Sequence, residues 1–194
     1  MKKLISLLIV LIMVISLMPV THAYDFGIKI GDNVMWLFDK GTVTISGTGD
    51  TWDLTEATNP PYINYNISSI TIEAGVTSIG NYVFSGLQGS LGEVIIPDTV
   101  TRIGDSAFAG CQFWEVKIPE SVKTIGDGAF MGCKKLTDIN IPQSVTSIGS
   151  GGIFFCYDAL ESVDLGSNIK VISENMFCGC ESLKSVTIPD GVTK

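Results

Sequence analysis

The fold is decided by a stretch that reads LTDINIPQSVTSIG, from Leu136 to Gly149. Close copies of this stretch recur from residue 70 onward, and their Ile-Pro or equivalent steps lie 22 to 24 residues apart. The steps are Ile96-Pro97, Ile118-Pro119, Ile141-Pro142, Leu165-Gly166 and Ile188-Pro189. A fixed period of this length indicates stacked supersecondary units, a solenoid, and solenoids commonly bind partners with an extended face.

The repeat predicts one strand and one return segment in each coil. Ile139-Asn140-Ile141 alternates inward and outward side chains, as a strand with one buried face does. Pro142 ends that strand because it has no N–H to donate to the ladder. Val145 and Ile148 are expected to point inward on the return segment.

The segment from Asp127 to Cys133 predicts a short helical turn that closes each coil. Asp127 is expected to accept the free backbone N–H groups of this turn. Phe130 is expected to fill the core, and its equivalents Phe108 and Phe177 extend the same position along the chain. The three rings should therefore lie in one buried file that runs through the coils.

The chain contains five cysteines, an odd number. Cys111, Cys133 and Cys180 each follow a core Phe by three residues, so we expect small buried side chains with free thiols. Stacked residues in one slot point in parallel, which is poor disulfide geometry. A zinc site is the alternative, although Cys178-Gly179-Cys180 lacks the two-residue gap and the second pair of a strong zinc motif.

Residues 1–23 have the layout of a secretory signal peptide, with a basic start, an apolar run and small residues before Ala23. The apolar run is shorter than the roughly 20 residues of a membrane span, which favours cleavage after Ala23 over an uncleaved anchor. Residues 24–67 do not repeat and are predicted to form an N-terminal β cap over the first coil. Within them, Asp39-Lys40-Gly41 joins two β-type runs and predicts a hairpin.

The formal net charge is −8, from 20 acidic and 12 basic residues. This acidity argues against nucleic acid and anionic lipid as partners, because both need a positive field. The single histidine, His22, lies in the predicted signal segment. A chain cut after Ala23 then lacks the side chain of Ser-His-Asp and Cys-His nucleophiles and of histidine-containing zinc sites. We therefore predict no enzymatic activity, no catalytic residue, no metal and no cofactor.

The repeat resembles the BspA-like leucine-rich repeat, a class also found in treponemal surface proteins. The likeness covers residues 70 to 194 and rests on Leu136, Ile139, Ile141-Pro142, Val145, Ile148-Gly149, Ile125-Gly126-Asp127-Gly128-Ala129-Phe130 and Cys133. The segment from Gly41 to Gly49 also looks like the cap that often precedes such arrays. The resemblance implies an α/β, β-rich, right-handed leucine-rich-repeat solenoid or horseshoe with an N-terminal β-hairpin cap. It also implies a secreted or cell-surface bacterial protein that adheres to matrix proteins or to other cells.

The outward side of the strand ladder, here called the strand face, is the candidate binding surface. Its candidate residues are Glu93, Trp114, Glu115, Lys117, Asp138, Asn140 and Asp164. If the coils stack in register, the acids from Glu93 to Asp138 stand about 5 Å apart. Trp114 beside them belongs to a residue type enriched at binding hot spots. An ordinary solvated sheet face accounts for the same polarity and stays open as an interpretation.

Two other interpretations of the acidic residues are weaker. A glycosidase pair of Glu115 and Asp138 would need one desolvated acid, which a ladder of exposed acids does not offer. A calcium-binding column is conceivable at the corners that follow each Ile-Gly step. Turn capping explains this column better, and its members are Asn81, Asp105, Asp127, Ser150 and Glu174.

Residues 68–194 are thus predicted to form an array of about five repeats that stops in mid-repeat. A fragment of a longer array is the favoured interpretation, and a frayed last coil is the alternative. The predicted function is an exported, non-enzymatic module that binds proteins or glycans at a bacterial cell surface. The alternative is a targeting region of a larger secreted hydrolase. No membrane span is expected after signal cleavage, and the sequence does not indicate an oligomeric state.

Overall fold

The computed structural model describes residues 26–55, 67–87, 89, 91–155 and 158–193. The predicted signal peptide, part of the predicted cap and Cys156 lie outside these described residues. The described residues form fourteen strands, and they contain no helix long and apolar enough to cross a membrane.

The described N-terminal residues form a three-stranded antiparallel unit. Its strands are β1 (Phe26–Lys29), β2 (Val34–Asp39) and β3 (Thr42–Gly47). The predicted hairpin is confirmed, since Asp39 pairs with Thr42 across a two-residue turn. The turn residues Lys40 and Gly41 have φ values of 47° and 88°, and such positive values at both positions define a type I′ turn.

Most coils place one short strand on each of two sides of the solenoid, and those of β13 and β14 have only the first. The strand face contains β5 (Ser69–Ile72), β7 (Glu93–Ile95), β9 (Glu115–Lys117), β11 (Asp138–Asn140), β13 (Ser162–Asp164) and β14 (Ser185–Thr187). The second side contains β4 (Gly49–Asp50), β6 (Val76–Ile79), β8 (Arg102–Ile103), β10 (Thr124–Ile125) and β12 (Ser147–Ile148). The hairpin joins this stack directly, because β3 pairs in parallel with β5, and β4 pairs in parallel with β6.

The two sides differ in continuity. The second side is one parallel sheet in the order β12-β10-β8-β6-β4, here called the second ladder. The strand face is divided into three sheets: β1-β2-β3-β5, β7-β9 and β11-β13-β14. The expectation of an evenly spaced acidic row is therefore wrong in part. Glu93 pairs with Glu115 in register, whereas Glu115 and Asp138 belong to strands that are not paired.

A column of side chains reinforces the second ladder. The backbone N–H of Asn81, Asp105, Asp127 and Ser150 each donates to Oδ1 of the equivalent residue in the preceding coil, at 2.6 to 2.9 Å. The role predicted for Asp127 thus needs correction, because its carboxylate accepts from Ser150 of the next coil rather than from its own turn. Side-chain capping is used here to join coils.

The predicted helical turn is also corrected, because consecutive tight turns take its place. Met131 N–H donates to Gly128 O at 2.9 Å, and Cys133 N–H donates to Phe130 O at 3.2 Å. Gly128 has a φ of 56°, a left-handed conformation that breaks a right-handed helix. The α component of the predicted α/β class is therefore not found among the described residues.

Stacked phenylalanine rings form the centre of the core. The predicted buried position is confirmed for Phe108 and Phe130, whereas Phe177 is only half-buried. Phe108 stacks on Phe84 at 5.0 Å and on Phe130 at 5.5 Å between ring centroids. Phe177 stacks in the same way on Phe154, at 5.5 Å. Equivalent side chains thus lie over one another from coil to coil, and such offset ring pairs add to the burial of their apolar area.

The repeated cysteine slot also links neighbouring coils. The thiols of Cys111, Cys133 and Cys180 donate to the carbonyls of Phe84, Phe108 and Phe154 respectively, at 3.0 to 3.2 Å. Cys111 and Cys133 are buried, Cys180 is half-buried and Cys178 is exposed. Burial raises the pKa of the Cys111 thiol well above its ordinary value, since the interior disfavours the thiolate.

Candidate binding face

A cleft of about 790 Å³ opens on the strand face where β9 and β11 part. It brings together six of the seven candidate residues, namely Trp114, Glu115, Lys117, Asp138, Asn140 and Asp164. The seventh, Glu93, lies on β7 and reaches the same surface through an ion pair with Lys117. The predicted face is therefore one contiguous region, centred on an interruption that the repeat pattern did not indicate.

Lys117 compensates the acids on the β7–β9 side of the cleft. Its ammonium pairs with Glu93 and lies 3.8 Å from the Glu115 carboxylate. The hydrogen bond to Glu93, then the charges of Glu93 and Glu115, raise the pKa of Lys117 above its ordinary value. Lys117 and Glu115 are largely exposed, and Glu93 is half-buried, so solvent screens much of their attraction.

The acids on the β11–β13 side have no such cation. Asp138 Oδ1 accepts from the Ser162 hydroxyl, and Asp164 Oδ1 accepts from Gly166 N–H at 3.0 Å. Within the described ranges, neither carboxylate has a lysine or arginine at ion-pair distance. This half of the cleft therefore carries uncompensated negative charge.

Trp114 forms the aromatic wall of the cleft and is 52% exposed. Its ring passes over Gly92 of the preceding coil, where a Cβ atom would stand only 3.7 Å from Cζ2 of the indole. Directly before it, Phe113 is fully buried and meets Phe108 and Phe130 edge to face at 6.0 and 6.5 Å. A large exposed ring is thus held next to a rigid core position.

The strand edges on the two sides of the cleft carry unpaired backbone groups. Ile96 N–H donates to Lys117 O at 3.3 Å, so alternation along β9 directs the backbone groups of Val116 and Ile118 toward β11. Ile141 N–H donates to Asp164 O at 2.8 Å, so the same alternation along β11 directs the backbone groups of Asp138 and Asn140 toward β9. No backbone hydrogen bond joins β9 to β11, both of which the structure describes in full.

A second, smaller cleft continues the first one along the strand ends. It has a volume of about 420 Å³ and shares Asn140 and Asp164 with the larger cleft. Glu120 and Asp190 add further carboxylates to its lining. Sequence reasoning did not select these two acids, because they lie in turns beyond the strand columns.

Ile95 is a further residue of the strand face, and it was not among the predicted binding residues. It pairs with Lys117 across the β7–β9 ladder and is 57% exposed. An isoleucine at an outward position among polar residues was the available signal. Its exposed side chain gives the face an apolar contribution besides Trp114.

The described residues contain no group of three or more His, Cys, Asp and Glu side chains that could hold a metal ion. In the column considered for calcium, Asn81, Asp105 and Asp127 instead accept from backbone N–H groups of the following coil. In the cleft, the Glu115 side chain is 52% exposed, whereas the general acid of a glycosidase lies in a desolvated site.

A family profile described as "BspA type Leucine rich repeat region" matches residues 58–156 and 151–194 in six copies. The chain is similar to the crystal structure of a leucine-rich repeat protein from Eubacterium ventriosum, with 26% identity and a TM-score of 0.59. That match covers 87% of this chain and 61% of the other, so the chain spans less than two thirds of that protein.

Two further solved structures are similar over most of the chain. A Treponema pallidum leucine-rich repeat protein has 23% identity and a TM-score of 0.49, with 78% of this chain and 77% of that one covered. A leucine-rich repeat protein from Bacteroides ovatus has 31% identity and a TM-score of 0.49, with 86% and 48% covered. No curated protein matches the chain.

Proposed function

The chain belongs to the BspA-type leucine-rich repeat family, and on this premise we propose that it is an exported, non-enzymatic module that binds a partner at a bacterial cell surface. Repeat arrays of this kind bind through extended faces that combine many modest contacts. The strand face would supply these contacts, with Trp114 as the anchor.

The observation that carries this proposal is the gathering of six candidate residues around one cleft. Interface hot spots combine an aromatic anchor with surrounding polar groups that exclude water. Trp114 has more than half of its surface exposed, so it offers a large contact area to a partner. The ring lies over Gly92, and any order that this contact gives it would lower the entropy cost of binding.

A binding function also fits the chemistry of the cleft better than catalysis does. Its carboxylates lie at an open surface and are bonded to a lysine, a hydroxyl or a backbone N–H. The buried thiol of Cys111 has a raised pKa, so it is held as the unreactive thiol. None of these groups has the activated character of a nucleophile or a general acid.

The test compares two exposed tryptophans. The chain without residues 1–23 is immobilised and exposed to bacterial surface proteins, host matrix proteins and surface glycans. We expect Trp114→Ala to weaken retention of the bound partner by roughly tenfold or more, and Trp52→Ala to leave it unchanged. Trp52 is the matched control, because it is 44% exposed and packs near Lys29 in the N-terminal unit. Equal retention by both variants would remove the strand face from the proposal.

A further inference from the structure

We infer that the interruption between β9 and β11 receives an extended segment of a partner protein that bears arginine or lysine at alternate positions. The backbone of this segment would bond to the open strand edges, and its basic side chains would meet the acids of the cleft. This inference rests on the proposed binding function and specifies the class of its partner.

The open edges supply the backbone recognition. Unpaired N–H and C=O groups point into the cleft from both sides, from Val116 and Ile118 of one strand edge and from Asp138 and Asn140 of the other. The bonds of Lys117 and Ile141 establish these directions. An exposed strand edge with alternating donors and acceptors matches the backbone of an extended peptide, which adds a strand to the sheet. Glycans and lipids do not carry this alternation.

The rest of the two coils is well enough joined to tolerate the interruption. On the second side, Thr124 and Ile125 of β10 pair with Ser147 and Ile148 of β12. Asp127 accepts from Ser150 N–H at 2.6 Å beside this pairing. The separation is therefore confined to the strand face, where Cα atoms of β9 and β11 still lie within 8 Å of one another. A bound strand needs two spacings of about 4.8 Å, so binding has to widen the interruption.

The charges around the interruption select a basic segment. Asp138 and Asp164 have no cationic partner among the described residues, whereas Lys117 is already engaged by Glu93. Alternate residues of a bound strand point to the same side. A segment with a basic residue at every second position therefore presents a row of cations to these acids. Trp114 favours arginine in particular, because a guanidinium stacks on an exposed indole face.

Amide hydrogen exchange of the free protein tests the open edges directly. We expect the amides of Val116, Ile118, Asp138 and Asn140 to exchange at least roughly tenfold faster than those of Ile141 and Leu165. The latter two donate to Asp164 O and Thr187 O within the β11-β13-β14 sheet, so they are internal references. Equal protection of both groups would mean that β9 and β11 are paired in solution, which would overturn the inference.

Peptide binding tests the occupant. The probe is an eight-residue peptide that alternates arginine with valine, compared with its backbone N-methylated form and with a glutamate–valine peptide. We expect the unmodified arginine peptide to protect the four amides from exchange. Both comparison peptides should bind at least roughly tenfold more weakly. Equal binding of the N-methylated peptide would refute strand addition, and equal binding of the glutamate peptide would refute the charge selection.

A pair of charge-matched variants localises the effect. Asp138→Asn removes one negative charge from the cleft, and Glu174→Gln removes one from an exposed turn outside it. We expect only Asp138→Asn to weaken binding of the arginine peptide, with a dissociation constant roughly tenfold higher at low salt. Failure of every peptide to bind, with Trp114 still required for partner retention, would overturn this inference and leave the proposed binding function standing.

Discussion

At the scale of single residues, the stack is joined by side chains that bond to the backbone of a neighbouring coil. Asp127 bonds to Ser150 N–H in the following coil, and Cys133 bonds to Phe108 O in the preceding one. Their positions were predictable from the period, but the bonding partner of Asp127 was not. Sequence spacing marks a corner residue without stating which backbone lies beside it, so local capping was the natural and incorrect assignment.

Phe108→Ala should be strongly destabilising, because this ring stacks between Phe84 and Phe130. Loss of a fully buried ring leaves a cavity, and we expect a decrease of about 3–5 kcal/mol in the free energy of unfolding. Urea titration followed by tryptophan fluorescence measures it. Phe155→Ala is the control, since Phe155 is 37% exposed and its loss should cost much less.

The cysteines should differ sharply in reactivity. Burial raises the pKa of Cys111, so iodoacetamide at pH 8 should modify the exposed Cys178 and spare Cys111 until the chain unfolds. Peptide mass mapping after brief alkylation distinguishes the two sites. Rapid labelling of Cys111 in the folded chain would contradict the buried slot.

The same raised pKa predicts a loss of stability at alkaline pH. The unfolded chain releases the Cys111 proton above its ordinary pKa of 9.0, while the folded chain retains it. Stability is therefore fully present below this pH and falls as the pH rises further, by at most about 1.4 kcal/mol per pH unit for one thiol. Urea midpoints at pH 8 and pH 10 measure the effect, and Cys111→Ala should reduce the difference.

At the scale of elements, the strands were predictable and their pairing was not. The alternation at Ile139 fixed which side chains of β11 face inward, and Ile139 is indeed 3% exposed. The inward positions give the interruption beside β11 no sequence signature of this kind, because Phe113 and Val116 hold the same slots as Leu136 and Ile139 in the next repeat. The expected helical turn was wrong because a left-handed residue recurs in it, at Tyr82, Ser106 and Gly128.

Lys40→Asn should stabilise the N-terminal hairpin. Lys40 has a φ of 47°, a conformation that costs free energy in most residues and less in asparagine. Asn-Gly is the preferred pair for a type I′ turn, so we expect a gain of roughly 0.5–1 kcal/mol in the free energy of unfolding. Thermal unfolding of the two chains checks the sign. A lower melting temperature for the variant would contradict the assigned turn.

At the scale of the whole molecule, the acidic charge and the repeat architecture act together. The formal net charge of −8 favours encounters with basic partners, and the strand face concentrates carboxylates around one cleft. The family and the stacked architecture were predictable because each coil repeats the same apolar pattern. The cleft was not, since it arises where the pairing of neighbouring coils fails.

Binding of the arginine–valine peptide should weaken as salt is added. Exposed charges are screened more strongly as the Debye length falls from about 10 Å at 0.1 M salt to about 3 Å at 1 M. We expect the dissociation constant to rise by roughly tenfold between 0.05 and 0.5 M NaCl, mainly through slower association. Titration calorimetry at the two salt concentrations measures this change, and an unchanged constant would argue against the acids as determinants.

The division of the strand face into three sheets has a mechanical consequence. A tensile load along the axis is shared by both sides of most coils, but at the two junctions it falls on the second ladder and on the bonds between turns, such as Gly132 N–H to Phe155 O at 2.9 Å. Fewer hydrogen bonds share the load at these junctions, so neighbouring coils should separate there at a lower force than elsewhere. A segment bridging β9 and β11 would brace one of them, and attachment would then stiffen the array against the shear that a surface experiences in flow.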